Sequence, residues 1–346
     1  MKKFIIQKKI ITQNTKPYII AEACINHEGK IKLAKKMVDI AAKAKVSAIK
    51  FQMHVLDDEM LKSTPKSKNF SESLYNTLKK TNLSIDEHIE LKRYCFKKGI
   101  DYLCTPFSFK SADILEKKLN LKFFKTGSGE LTNHPFQIHV AKKRLPTIIS
   151  TGMSTLSEVA ETIKIVKKIN SNIAIMQCTS VYPCPYEISN IGVITKYLNK
   201  FNLITGLSDH TNSIYTSIGA VALGARIIEK HFTLNKNMKG PDHASSIDPT
   251  ELNNLVEGCN AVFHARSSEK KIHKREKEII SWARESVVST KNILKNEKLT
   301  FDNISVKRPA PTKKEIGAKY FKNILGKFSK KNIKINVKIK WSQIKK

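Results

Sequence analysis

Two histidines close two apolar runs: His210 follows LITGLS (203–208), and His231 ends RIIEKH (226–231). Neutral imidazole is the commonest metal ligand. Two of them at neighbouring strand ends can hold one divalent ion and leave positions open for water and substrate. A lone histidine of this kind is more often a satisfied core residue, but the pair in one setting favours a metal. The donor set suits Mn2+, Mg2+ or a similar ion, with the nitrogens arguing against Mg2+ alone. A second chemistry lies in FKTGSGE (124–130) and ISTGM (149–153), where Lys125, Ser128 and Thr151 sit beside small-residue turns. Backbone N–H groups in such turns cradle a phosphate or carboxylate, and Lys50 adds positive charge, so a doubly anionic small substrate fits. Taken alone, these glycines serve equally well as tight turns.

Such residues need a scaffold that gathers strand ends. Strand candidates recur at YIIAEA (18–23), SAIKFQ (47–52), IDYLCT (100–105), LKFFKTG (121–127), PTIIST (146–151), IAIMQC (173–178), LITGLS (203–208) and RIIEKH (226–231). Helical periodicities lie between them, as at 32–44, 84–99, 156–169 and 213–225. This alternation is the signature of βα units, and eight units in about 250 residues predict a (β/α)8 TIM barrel. The active site of that fold lies where the strands end. Here almost every strand ends in polar residues: Glu22, Lys50 with Gln52, Thr105, Lys125 with Ser128 and Glu130, Thr151, Thr179 with Tyr182, Ser208 with His210, and Glu229 with His231. One such ending carries no information, whereas a run of eight points to a site.

The reading divides the 346 residues into a barrel at 1–265, a charged linker at 266–283 and a small, mainly β domain at 284–346. The long polar stretch 54–83 reads as a lid. Net charge is +32, from 62 Lys and Arg against 30 Asp and Glu. Only seven of the cations are arginines, and residues 266–346 hold 20 Lys and 4 Arg against 7 acidic residues. Lysine excess without the arginine fork favours a solvated surface over nucleic-acid recognition. No apolar run is long enough for a membrane span. The start lacks the apolar core of a secretory signal, and the six scattered cysteines read as reduced thiols, so the expectation is a cytoplasmic protein.

The strings AEACINHEG (21–29), IKFQ (49–52), TPF (105–107), KTGSGE (125–130), STGM (150–153), CTSVYPCP (178–185), GLSDHT (206–211), EKHFT (229–233) and GPDH (240–243) resemble the sialic acid synthase family, in order along the chain. NEKLTFDNISVKRPAP (296–311) and ILGK (324–327) resemble its antifreeze-like (SAF) domain. The resemblance implies a metal-dependent condensation of phosphoenolpyruvate with the open-chain aldehyde of an N-acetylated amino sugar, releasing phosphate. The sugar would be N-acetylmannosamine or a 2,4-diacetamido-trideoxyhexose. It also implies a homodimer in which the small domain of one chain caps the barrel of the other. Carried over by position, His210 and His231 would bind the metal, with Mn2+ expected and Mg2+ or Co2+ as alternatives. Lys125, Ser128, Thr151 and Ser208 would hold phosphoenolpyruvate. Glu22, Lys50 and Glu130 would be catalytic, and Gln52, Thr105, Tyr182 and Asp242 would contact the sugar. Arg308 would reach its acyl group from the partner chain, with Trp282 a candidate for the accompanying aromatic. Cys24 stands where the family more commonly has Gly, and Ser180 with Val181 departs from the pattern before YP. Two other readings remain: a different barrel aldolase or lyase on a phosphorylated sugar, and a Lys-rich protein that binds anions or nucleic acid.

Overall fold

The computed structural model describes residues 2–66, 72–238, 240 and 242–345, so part of the expected lid and Pro241 of the GPDH string lie outside the described residues. Eight parallel strands form one sheet: β3 (Tyr18–Glu22), β4 (Ala48–Met53), β5 (Asp101–Pro106), β6 (Phe124–Thr126), β7 (Thr147–Ser150), β8 (Ile173–Cys178), β9 (Ile204–Asp209) and β10 (Ile227–His231). They lie in the order β5-β4-β3-β10-β9-β8-β7-β6. Because the first and last of the eight, β3 and β10, are paired, the sheet curls into the expected (β/α)8 TIM barrel, nearly closed at the β5/β6 seam.

Side chains alternate along a strand, and that alternation sorts this barrel into three environments. Ile19, Ala21, Ile49, Phe51 and Met53 face outward and pack with Ala34, Met37, Val38 and Leu91 of the surrounding helices. Tyr18, Ile20, Ala48, Leu103, Phe123, Ile148, Ala174, Met176, Ile204 and Ile227 face inward near the strand starts and form a second, enclosed core. The next inward positions are polar: Glu22 follows Ile20, Lys50 follows Ala48, Thr105 follows Leu103, Lys125 follows Phe123 and Glu229 follows Ile227. Ladder register then sets Glu22 level with both Lys50 and His231, and Ser208 level with both Cys178 and Glu229.

Helix boundaries follow local chemistry. Ser84 and Glu87 form a capping box for Ile85–Lys98, which ends at Gly99 in the left-handed region, φ 76°. Asp248 and Glu251 cap Pro249–Ala265 in the same way, with Pro249 at the first helical position. The stretch read as a lid contains the helix Leu74–Thr81.

An element that the sequence reading did not assign closes the barrel where its strands begin. The hairpin β1 (Lys3–Ile6) and β2 (Lys9–Thr12) inserts Phe4, Ile6 and Ile11 into the inward apolar core. Asn172 pins it, accepting from the Ile5 N–H at 3.0 Å and donating to the Ile5 carbonyl at 2.9 Å.

The chain divides into two compact units, Met1–Ser267 and Ser268–Lys346. In the second, β11 (Ser286–Ser289) pairs antiparallel with β12 (Ile304–Lys307). Short bridges such as Ile293 to Ile333 and Glu315 to Lys340 extend it around a core of Val287, Leu299, Ile304, Ile316, Ile324 and Ile339. The segment expected as linker forms the helix Glu276–Ala283 in its later part.

Phe4 is wholly buried in the enclosed core at the end away from the polar layer. Phe4→Ala is therefore expected to lower unfolding stability by about 3–5 kcal/mol while leaving folded-state chemistry intact. Urea titration beside an activity assay at low temperature checks this, and an unchanged midpoint would remove the hairpin from the core.

Candidate active site

The polar layer is the floor of a cavity of about 710 Å3. At its centre Glu229 joins two lysines, with Lys125 Nζ at 2.9 Å and Lys50 Nζ at 3.6 Å. Lys50 also reaches Glu22 Oε2 at 2.8 Å and donates to Thr105 Oγ1 at 3.1 Å. Ser208 Oγ donates to Glu229 Oε1 at 2.9 Å. All four charged side chains are at least nine-tenths buried. Burying ions is costly unless they are paired, and here each carboxylate has a lysine.

The environment separates the two acids. Burial works against ionisation of both, but Glu229 is held well below the usual carboxylate range by Lys125 and Lys50. Glu22 is raised to about 7, first by burial and then by the charge of Glu229, with Lys50 opposing. An acid poised near neutrality can take up or release a proton where its neighbour cannot. The sequence marks Glu229 as a strand ending without assigning it a role. Its position two residues before His231, on the same face of β10, was the available signal.

The histidine pair stands beside this cluster, ring centroids 5.4 Å apart. His210 Nδ1–H donates to the Thr179 carbonyl at 2.8 Å, and Nε2 accepts from the Tyr182 hydroxyl at 3.1 Å. That outer hydrogen bond fixes the ring in the manner of metal-ligating histidines. Among the described residues His231 Nδ1 is buried without a hydrogen-bond partner, and burial together with His210 and Lys50 holds its ring neutral, well below the ordinary histidine range. A ring nitrogen of His231, an Asp242 carboxylate oxygen and the Cys24 sulfur lie within 4.8 Å of one another. Neutral nitrogen and sulfur donors that are buried, beside a half-buried carboxylate, fit a divalent cation.

A hydrogen-bond chain that was absent from the sequence expectations supports Glu22. Gln52 Nε2 donates to Glu22 Oε1 at 3.2 Å, His54 Nε2 donates to Gln52 Oε1 at 3.1 Å, and His54 Nδ1 meets Glu59 Oε2 at 2.9 Å. His54 also stacks on Phe107, centroids 4.6 Å apart. Only Gln52 of this chain was singled out, because His54 and Glu59 lie past the strand end in the stretch assigned to the lid.

Of the expected site residues, Glu22, Lys50, Gln52, Thr105, Lys125, Ser128, Glu130, Tyr182, Ser208, His210, His231 and Asp242 line the one cavity. Thr151 does not: its hydroxyl donates to the Met176 carbonyl at 2.8 Å and accepts from Tyr197 at 3.0 Å. Alternation explains the difference, because Ile148 faces inward on β7 and the next inward residue is Ser150. Ser150 lines the cavity, its buried hydroxyl without a hydrogen-bond partner among the described residues. Arg308 lies in the second unit, its guanidinium 5.9 Å from the Trp282 ring. The glycine turns act partly by leaving room. A Cβ on Gly127 would stand 2.4 Å from Glu130 Oε2, and one on Gly152 would stand 2.3 Å from Ser180 Oγ. The Gly152 N–H is already used, donating to Ser128 Oγ at 3.1 Å.

Burial raises the Glu130 carboxyl to about 7 from an ordinary 4.5. The unfolded chain then ionises first as pH rises, so the native state loses stability across that window; the penalty is complete above about 7 and absent below about 4.5. Glu130→Gln is expected to be more stable than the parent at pH 8, by roughly 3 kcal/mol at most, with the advantage fading toward pH 4.5. Urea melts at the two pH values check this, and a pH-independent difference would contradict it.

Comparison with known proteins places this geometry. Residues 37–271 match the model of the NeuB family. The chain is 39% identical over 329 residues to the N,N'-diacetyllegionaminic acid synthase of Campylobacter jejuni, covering 92% of this chain and 97% of the relative. It is 35% identical to the N-acetylneuraminate-9-phosphate synthase of Homo sapiens, covering 85% and 84%. The crystal structure of the N-acetylneuraminic acid synthetase of Leptospira borgpetersenii superposes with a TM-score of 0.72 at 30% identity, covering 81% of this chain and 95% of that one. A strand-end cavity with paired lysines and carboxylates, a histidine pair and these likenesses over most of the chain lead to one conclusion: the chain belongs to the NeuB family.

Proposed function

We propose that this protein condenses phosphoenolpyruvate with the open-chain aldehyde of an N-acetylated amino sugar, giving a nonulosonic acid and inorganic phosphate. The observation that carries this reading is the buried cluster of Glu22, Lys50, Glu229 and Lys125 beside His210 and His231, at the strand ends of a NeuB-family barrel. The relatives' names, synthases of N,N'-diacetyllegionaminic acid and of N-acetylneuraminate 9-phosphate, support the substrate class.

Two lysines and two carboxylates leave the cavity floor close to neutral. A trianionic substrate therefore asks Lys125 and Lys50 to turn toward its phosphate and carboxylate, helped by the hydroxyls of Ser128, Ser150 and Ser208. Glu22, with its acidity near 7, offsets the added negative charge by taking up a proton. His210, His231 and Asp242 would hold a divalent ion, Mn2+ first, which when bound supplies Lewis-acid polarisation of the aldehyde oxygen. The methylene carbon of phosphoenolpyruvate attacks the aldehyde carbon, the aldehyde oxygen taking the Glu22 proton as its double bond opens, and water then adds at the former enol carbon. Glu22 takes the proton of that water, and Lys125 balances the phosphate as its C–O bond breaks. Glu130, Gln52, Thr105 and Tyr182 surround the remaining space, where the sugar would lie.

The decisive assay is phosphate release from phosphoenolpyruvate with Mn2+, run against N-acetylmannosamine and the two diacetamido-trideoxyhexoses, with a chelated control. Release with one sugar, matched by a nine-carbon keto acid, is the expected result; no release with any of them from folded, metal-loaded protein would refute the reading. Glu22→Gln is expected to lower kcat by about 10^2–10^4-fold with an unchanged circular dichroism spectrum.

The second unit is proposed to be the antifreeze-like cap, acting on the barrel of a second copy in a homodimer in the cytoplasm and carrying Arg308 to the acyl group. If so, inactive Glu22→Gln and inactive Arg308→Ala chains, unfolded and refolded together, regain activity that neither has alone. Activity absent from the mixture would show that each chain completes its own site.

A further inference from the structure

Cys24 is held in a backbone conformation that suits glycine: φ is +45°, in the left-handed region that non-glycine residues rarely enter. Such a conformation costs of order 1 kcal/mol or more and persists where the surroundings impose it. It lies just past the end of β3, two residues beyond Glu22, and its side chain is buried and lines the cavity. The Cys24 sulfur, the Asp242 oxygen and a His231 nitrogen all lie within 4.8 Å of one another, while His231 Nδ1 is buried with no hydrogen-bond partner among the described residues. The left-handed turn thus delivers a soft donor to the place where a neutral nitrogen and a carboxylate already meet.

We propose that Cys24 is a direct ligand of the divalent ion, so that the site combines thiolate, imidazole and carboxylate rather than imidazole and oxygen alone. This rests on the reading of His210 and His231 as metal ligands. As the metal–sulfur bond forms, the thiol proton leaves to solvent, so no oxidant or further reactant is involved. A thiolate shifts a site away from Mg2+, which favours hard oxygen donors, toward Co2+ and Zn2+. The rival sulfur is Cys178, 3.8 Å from His210 Nδ1. That nitrogen is already bonded to the Thr179 carbonyl, and Cys178 accepts from Ser128 Oγ at 3.4 Å.

The test is the absorption spectrum of the full-length protein loaded with Co2+, with bound cobalt counted by elemental analysis after dialysis. A thiolate ligand adds a sulfur-to-cobalt charge-transfer band in the near ultraviolet that nitrogen and oxygen ligands do not give. The band is expected in the parent and absent in Cys24→Gly, which suits the positive φ and so keeps the fold. Cys24→Gly is also expected to bind cobalt roughly tenfold or more weakly, and Cys178→Ser to keep the band. Cobalt bound through the histidines without a band would overturn the proposal and leave the histidine reading standing. A band that survives in Cys24→Gly and disappears in Cys178→Ser would overturn it in favour of the other sulfur. No cobalt bound by the folded parent, or binding unaffected by His231→Ala, would sink the histidine reading and the proposal with it.

Discussion

Everything at the mouth of this barrel depends on keeping two ammonium groups and two carboxylates together out of water. Lys50 and Lys125 bracket Glu229, Lys50 also holds Glu22, and each of the four is almost completely enclosed. Removing one partner of such a set strands a buried charge, which costs several kcal/mol. Barrel geometry meets this demand, because the inward positions of neighbouring strands come level. Glu22 lies beside Lys50 and His231 in the ladder, and the same alternation that places Ile20 and Ala48 in an apolar floor places Glu22 and Lys50 above it. The floor excludes water from below, and the charges above it act at short range in a low dielectric.

Unequal partnering then gives the two acids different tasks. Glu229, between two lysines and a serine, is held well below the usual carboxylate range. Glu22 has one lysine and one amide, and its burial is only partly offset, so its proton is available. The arrangement is a stable anion beside a titratable one, built from identical side chains.

Much of this was legible because a barrel converts sequence parity into position. Eight apolar runs ending in polar residues predicted the barrel and most of the cavity lining. The differences share a cause: strand endings alone do not say which face each residue takes. The run PTIIST ends at Thr151, but TIIS alternates from an inward Ile148, so Ser150 is the residue of β7 that lines the cavity; Glu229 likewise shares a face with His231. The N-terminal hairpin was missed because FII and KIIT are too short to separate from noise without the core they fill. His54 and Glu59 follow the end of β4, in a stretch whose local pattern says only that it is polar; their value comes from where Gln52 points.

The chain from Glu59 through His54 and Gln52 to Glu22 is directional. An amide offers donors at one end and an acceptor at the other, so with its NH2 group toward Glu22, Gln52 presents its carbonyl to His54, which must offer an N–H there. A primary amide does not readily hand protons across itself. Gln52 therefore behaves as an insulator in an otherwise continuous wire: it transmits orientation from the imidazole to the carboxyl while blocking proton traffic between them. Glu22 is left to exchange protons with Lys50 and with what occupies the cavity, and not with the imidazole behind the amide.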